Sequence, residues 1–359
     1  MAITRSFDNA YTITDYTEEM NMIPNKWNLI GESGLFSSES VATNTFTFDK
    51  TYSTVQLAKD TPWTERSRFS GNEKSEMYSF TIPHFTLDDS VTVGDVWNKR
   101  MIGTADQQET RDNVLMKKMA HINGSWDITL EYAMCEAIRG NKYAPNNATI
   151  NTARTWYDEF NKEQQVLNFD FDNIQVDQRE NVQAVVRYIQ DAFKQGGILE
   201  DIVFYCTPKF FAALVGNAQV MDAYTYYESQ QSPQRQSLRK GMYREFVWQN
   251  VTFIEYRGKL PDGLEMMPEG DASVEPEQAL GQAWAVPRGS NAFTTFYAPA
   301  YRFDTLGQGG ASRYMWTYED RASSQMELMT ESNFLTMNSR PELVIRCQGG
   351  VASGSTPAP

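Results

Sequence analysis

The side chains best suited to nucleophilic, redox or metal chemistry are few in this chain and far apart. The two histidines, His84 and His121, fall in different predicted elements, a hairpin strand and a long helix. A catalytic triad or a His-rich metal site needs imidazoles set against a nucleophile or carboxylates; neither histidine has such neighbours, and both read as structural. Cys135, Cys206 and Cys347 show no CxxC or CxxxC spacing and read as reduced, small apolar residues of a cytosolic fold. Asp88-Asp89 and Asp170-Phe171-Asp172 do not continue into a calcium-binding loop closed by Glu, so they read as solvated turns. Gly307-Gln308-Gly309-Gly310 has no apolar strand leading into it and no Lys-Ser/Thr after it, which makes it a turn rather than a phosphate loop. HExxH, GxSxG and GxGxxG patterns are absent. No cofactor or metal is expected. One polar group stands out: Arg66 and Arg68, with Glu73 and Lys74 close behind. It reads either as a solvated loop or as a set of intersubunit ion pairs, since the guanidinium fork suits carboxylates.

Composition narrows the functions open to such a chain. Its 359 residues give room for one large domain or two moderate ones. Hydrophobic content of 41% with 13% aromatic residues excludes wholesale disorder. The net charge is −14, from 32 basic and 46 acidic residues with no basic block. Nucleic-acid binders draw affinity from Lys and Arg that neutralise phosphates, so the composition argues against a dedicated DNA binder, while proximity to DNA without adhesion fits an acidic surface. The first residues hold no apolar run of the signal-peptide kind, and no segment approaches the ~18 apolar residues of a membrane helix.

The elements that would position these residues are unusual in order. Thr45 to Leu57 and Met77 to Leu87 read as two strands of a hairpin, with the polar stretch 59–74 between them. An isolated hairpin is marginal in water, so this one must rest on its own domain or on another subunit. Residues 1–44 read as an arm, with a short helix at Tyr16–Met22 ended by Pro24. A short helix is expected at Val96–Met101 and a long one at 109–139. The long helix carries Leu115, Met119, Ile122, Trp126, Leu130, Ala133 and Ala137 on one stripe, with Gly140-Asn141 as its C-cap. A strand is expected within 156–173, a helix at 180–194, a buried strand at 202–206 and a helix opened by Pro208. Strands follow at 245–247, 251–256, 282–286, 314–318 and 343–347, with a short helix possible between the last two. Residues 222–240 read as an exposed excursion, 258–277 as loop, and 349–359 as a flexible tail.

Taken in order, these parts resemble the major capsid protein of lambda-type tailed phages, the capsid protein E family with the HK97-like fold. Four stretches carry the likeness. Arg66-Ser67-Arg68 through Phe80 to Pro83-His84 is similar to the family's extended loop. Arg111 to Tyr143, closing on Gly140-Asn141-Lys142-Tyr143, is similar to its long helix and following turn. Val203-Phe204 to Phe211 is similar to a strand and helix of its axial domain. Glu331-Ser332-Asn333-Phe334-Leu335 followed by Arg340-Pro341-Glu342 is similar to its C-terminal signature, although Phe334 and Thr336 stand where that signature has proline.

The resemblance implies an α+β fold with an N-terminal arm (1–44), an extended hairpin loop (45–95), a peripheral domain with the spine helix (96–179 and 326–348) and an axial domain (180–325). It implies a coat protein, not an enzyme, that forms the pentamers and hexamers of an icosahedral shell around double-stranded DNA without sequence-specific binding. Scaffold, portal and a decoration protein would be partners, assembly would take place in the host cytoplasm, and the product would be the virion. The alternatives are another virion component, such as a decoration or tail protein, or a soluble enzyme built on converging carboxylates.

Overall fold

The computed structural model describes residues 3–6, 12–15, 29–52, 74–97, 99, 110–146, 154–173, 175–193, 199–221, 244–270, 280–320 and 325–350. Its organising element is the helix Arg111–Arg139, about 44 Å long at 1.5 Å per residue. Thr110 caps it by accepting the Asn113 N–H at 3.4 Å, and Asp112 and Arg139 sit at the ends whose dipoles they complement. It stops at Gly140, which takes the left-handed conformation at φ 89°. A Cβ there would also lie 2.2 Å from the Tyr157 ring, so no other residue fits.

Two sheets use opposite ends of this helix. Its N-terminal half packs Val114, Leu115, Met119, Ile122 and Trp126 against Met315, Met326 and Leu328. These last three belong to an antiparallel five-stranded sheet ordered Ile3–Ser6, Thr12–Asp15, Tyr314–Asp320, Gln325–Glu331, Asp89–Val91. The C-terminal half buries Met134, Cys135 and Ile138 against a mixed six-stranded sheet. That sheet runs Gln165–Asn168, Ile345–Gln348, Gln282–Pro287, Ile202–Cys206, Val251–Glu255, Glu245–Trp248. Ile202–Cys206 is buried on both faces: Phe204 and Cys206 meet the helices Gln178–Ala192 and Pro208–Gly216, while Val203 and Tyr205 face the long helix. The strands near 165 and 345, which the resemblance assigns to the peripheral domain, thus share a sheet with strands of 180–325.

A third sheet, Asn333–Asn338, Phe293–Ala298 and Ser37–Ser40, packs Phe334 and Tyr297 against Ala133 of the helix; its Ser37–Ser40 strand runs parallel to Phe293–Ala298. The hairpin pairs Thr45–Tyr52 with Lys74–Thr81, from Thr45 opposite Thr81 to Tyr52 opposite Lys74.

Several expectations need correction. Among the described residues between 318 and 343 stand two strands, Gln325–Glu331 and Asn333–Asn338, and the only helical piece is the 3-10 turn Pro341–Leu343. Phe293–Ala298 is a strand the sequence reading passes over. Trp156–Glu159 is a helical turn set by the Thr155/Asp158 capping box, and the strand begins only at Gln165. A short helix is described at Val93–Val96, and residues 98, 100 and 101 of the helix expected at 96–101 lie outside the described residues. The helix at Tyr16–Met22, the excursion 222–240 and the tail from 351 lie outside the described residues.

Candidate assembly surfaces

The hairpin is fixed at its base by its own subunit. Phe46, Phe80 and Ile82 enter a core with Trp156, Phe160, Phe296, Leu335 and Met337. Phe46 stacks on Phe296 at 4.1 Å between centroids, and Phe80 meets Trp156 edge-on at 5.3 Å. Further out, the Lys50 ammonium donates to the Ser339 carbonyl at 3.1 Å and lies 4.9 Å from the Phe160 ring centroid. Burial then fades along the inward face of the second strand: Ile82 and Phe80 are buried, Tyr78 half-buried and Glu76 exposed, while Ser75, Met77 and Ser79 on the other face are exposed throughout. Lys74 opens that strand opposite Tyr52; Arg66, Arg68 and Glu73 lie outside the described residues. The structure therefore brings none of the four together as a described cluster.

From this base a rigid chain of contacts leads to the long helix. Trp156 donates its backbone N–H to the Gly140 carbonyl at 2.6 Å. Lys142 pairs with Glu159 at 2.5 Å, with its ammonium 5.2 Å from the Trp156 ring. The base of the hairpin thus lies at the C-terminal end of the helix.

The helix carries a second buried stripe that sequence reading missed. Asn123, Asp127 and Glu131, spaced four apart, are all buried polar residues. The Arg313 guanidinium donates to both Asn123 and Asp127, joining the helix to the start of the strand Tyr314–Asp320. Glu131 accepts the backbone N–H groups of Ile30 at 2.9 Å and Gly31 at 3.3 Å, and the Tyr256 hydroxyl at 3.2 Å. This one carboxylate ties the arm and a strand of the six-stranded sheet to the helix. Burial pushes its carboxyl above the usual range, against the pull of those donors. The signal for the stripe was the i, i+4 spacing of polar residues flanking the apolar one.

The remaining candidates are structural. His84 sits just beyond the hairpin with Nδ1 2.9 Å from Asn333 Oδ1, and His121 is exposed on the helix. All three cysteines are free and fully buried. Phe334 and Thr336, which stand in place of prolines, lie inside a buried strand, where proline could not keep a ladder donor. The Thr336 hydroxyl donates to the Ala133 carbonyl at 2.9 Å. Among the described residues no group of three or more His, Cys, Asp or Glu could hold a metal, and no helix is long and apolar enough to cross a membrane.

The described fold is thus a two-stranded hairpin packed beside a long helix that two sheets share. The crystal structure of a capsid protein from a prophage of E. coli CFT073 superposes with a TM-score of 0.58 at 12% identity, covering 98% of this chain and 100% of that one. This defines the class: an HK97-like capsid fold.

The model for phage major capsid protein E matches residues 12–348, and the chain belongs to that family. It is 32% identical to the major capsid protein of Pseudomonas phage KPP10, over 95% of this chain and 97% of the relative. It is 25% identical to that of Salmonella phage Felix O1, over 98% and 100%. The chain is a major capsid protein of a tailed phage, a structural protein of the virion and not an enzyme. The alternatives of a decoration protein, a tail protein or a carboxylate hydrolase fall away.

Proposed function

We propose that the shell is built from pentamers and hexamers in which the outer part of each hairpin, with residues 59–74, lies across a neighbouring subunit. The observation that carries this reading is the loss of burial along the inward face of the second strand, from Ile82 and Phe80 (buried) to Tyr78 (half-buried) and Glu76 (exposed), on a two-stranded ribbon with too little core to stand alone in water. Arg66, Arg68, Glu73 and Lys74 then make ion pairs with that neighbour. The segment 180–325 forms the axial part around each capsomer centre, and 96–179, which holds the long helix, forms the peripheral part with 326–348. The acidic balance lets the inner wall enclose double-stranded DNA without gripping it. A scaffold and a portal act as partners in the host cytoplasm, and a small decoration protein is a further partner of the finished shell.

A photoreactive amino acid in place of Met77 tests the central point. Irradiated shells should yield a covalent dimer of the chain, with the adduct mapped outside the hairpin of origin. Shells that form normally but give only intrachain adducts at this position would reject the placement.

A further inference from the structure

Tyr301 and Phe303 are the most exposed large hydrophobic residues among those described, at 89% and 94%, and Leu306 beside them is 66% exposed. Among the described residues most aromatic rings are buried in cores and Trp97 is the other strongly exposed one, so three such apolar side chains on one short loop need a reason. The loop is not a slack connection. The Thr305 hydroxyl is buried and donates to the Ala300 carbonyl at 2.7 Å. The Tyr301 N–H donates to Glu331 at 2.9 Å, the Gln308 amide donates to the Asp304 carbonyl at 3.1 Å, and the Gly310 N–H donates to the Val41 carbonyl at 3.1 Å. Beneath it the Arg302 guanidinium lies 4.4 Å from the Trp316 ring centroid, and Trp316 packs with Ala300 and Tyr314 in a small core of their own. The inward residues hold the loop, and the outward ones are presented in a fixed arrangement.

We propose that Tyr301, Phe303 and Leu306 form a preorganised apolar knob that inserts into a second copy of this chain in the assembled shell. Two arguments select that occupant. The first is area. Two aromatic rings and a leucine bury a few hundred Å² on one side, well short of the roughly 800 Å² per partner in a stable pairwise complex. A contact of that size holds nothing alone and is useful only where many close together, as in a closed shell of identical subunits. The second is shape. A convex knob is not self-complementary, so its acceptor is a different surface of the next copy. Such heterologous contacts generate rings, the geometry of a capsomer. Ordering cost is low because the loop is already fixed, which favours the knob as a binding anchor.

The inference rests on the capsid reading but not on the hairpin placement. A benzophenone amino acid at position 303, irradiated in shells of the purified chain, should give a covalent dimer whose adduct maps outside residues 300–310. The double variant Phe303→Ser/Leu306→Ser should leave the melting of the free subunit unchanged and raise the subunit concentration needed for shell formation by about ten-fold or more. Intact shells without chain–chain adducts at 303, or virions in which position 303 crosslinks only to another protein, would overturn it. So would a double variant that assembles at the wild-type concentration. Adducts at 303 without adducts at 77 would remove the hairpin placement alone; the converse would remove the knob alone.

Discussion

At the scale of single residues, the buried polar stripe of the long helix does most to fix the subunit's shape. Glu131 is the clearest case. The folded chain holds its proton more tightly than the unfolded chain, because burial raises the carboxyl above its ordinary range. Its contribution therefore worsens as pH rises through the folded value and improves on acidification toward the unfolded one. Glu131→Gln should remove that slope. In melts of the free subunit from about pH 4.5 to about pH 8, the wild type should lose ground against the variant as pH rises; a constant difference would contradict the assignment. Arg313 faces the opposite test. Arg313→Leu leaves the Asp127 carboxylate buried without its guanidinium, at a cost of about 3–5 kcal/mol in denaturant unfolding. Adding Asp127→Leu should recover much of the loss, and a double variant no more stable than the single one would reject the pairing. Only the i, i+4 spacing of the stripe was legible in the sequence; its burial and its partners were not. Acidic residues on a helix usually face solvent, and the partners of Asp127 and Glu131 lie a hundred residues or more away along the chain.

Elements were legible in proportion to how cleanly their period shows. The long helix combines an apolar stripe, a proline-free interior and a left-handed glycine at its end, and its limits of 111–139 fall within two residues of the expected 109–139. Gly140→Ala should cost more than about 1 kcal/mol, from the positive φ and the collision with Tyr157, and should loosen the joint to the hairpin base. Thermal unfolding checks the first effect and proteolysis of the hairpin the second; a variant indistinguishable from wild type in both would show that the turn relaxes. The strands that escaped detection failed for different reasons. Phe293–Ala298 is buried on both sides and shows no alternation. Gln325–Glu331 does alternate, with Met326, Leu328 and Thr330 inward, but Met, Glu and Leu also favour helices. Trp156–Glu159 looked like part of a strand until its capping box is counted.

For the whole molecule, sheet order was beyond the sequence, because partners such as Ser37–Ser40 and Phe293–Ala298 come from opposite ends of the chain. The class was legible only through the order of motifs, which is what the family comparison matches across residues 12–348. The hairpin reading makes its prediction at this scale. Arg66→Glu or Arg68→Glu should lower the yield of shells in sedimentation while leaving the far-ultraviolet circular dichroism of the subunit unaltered. Wild-type yields from both variants would mean that the tip touches nothing of consequence. Closed symmetry magnifies such changes, since each substitution is repeated at every equivalent contact.

The three buried cysteines give the shell a property unrelated to assembly. Burial pushes the Cys135, Cys206 and Cys347 thiols above their ordinary range, and a protonated, enclosed thiol is a poor nucleophile. The native particle should therefore be silent toward maleimide reagents. A single cysteine placed on an outward-facing residue would be the one addressable point on each subunit, and any labelling of the native three would report subunits that have come undone.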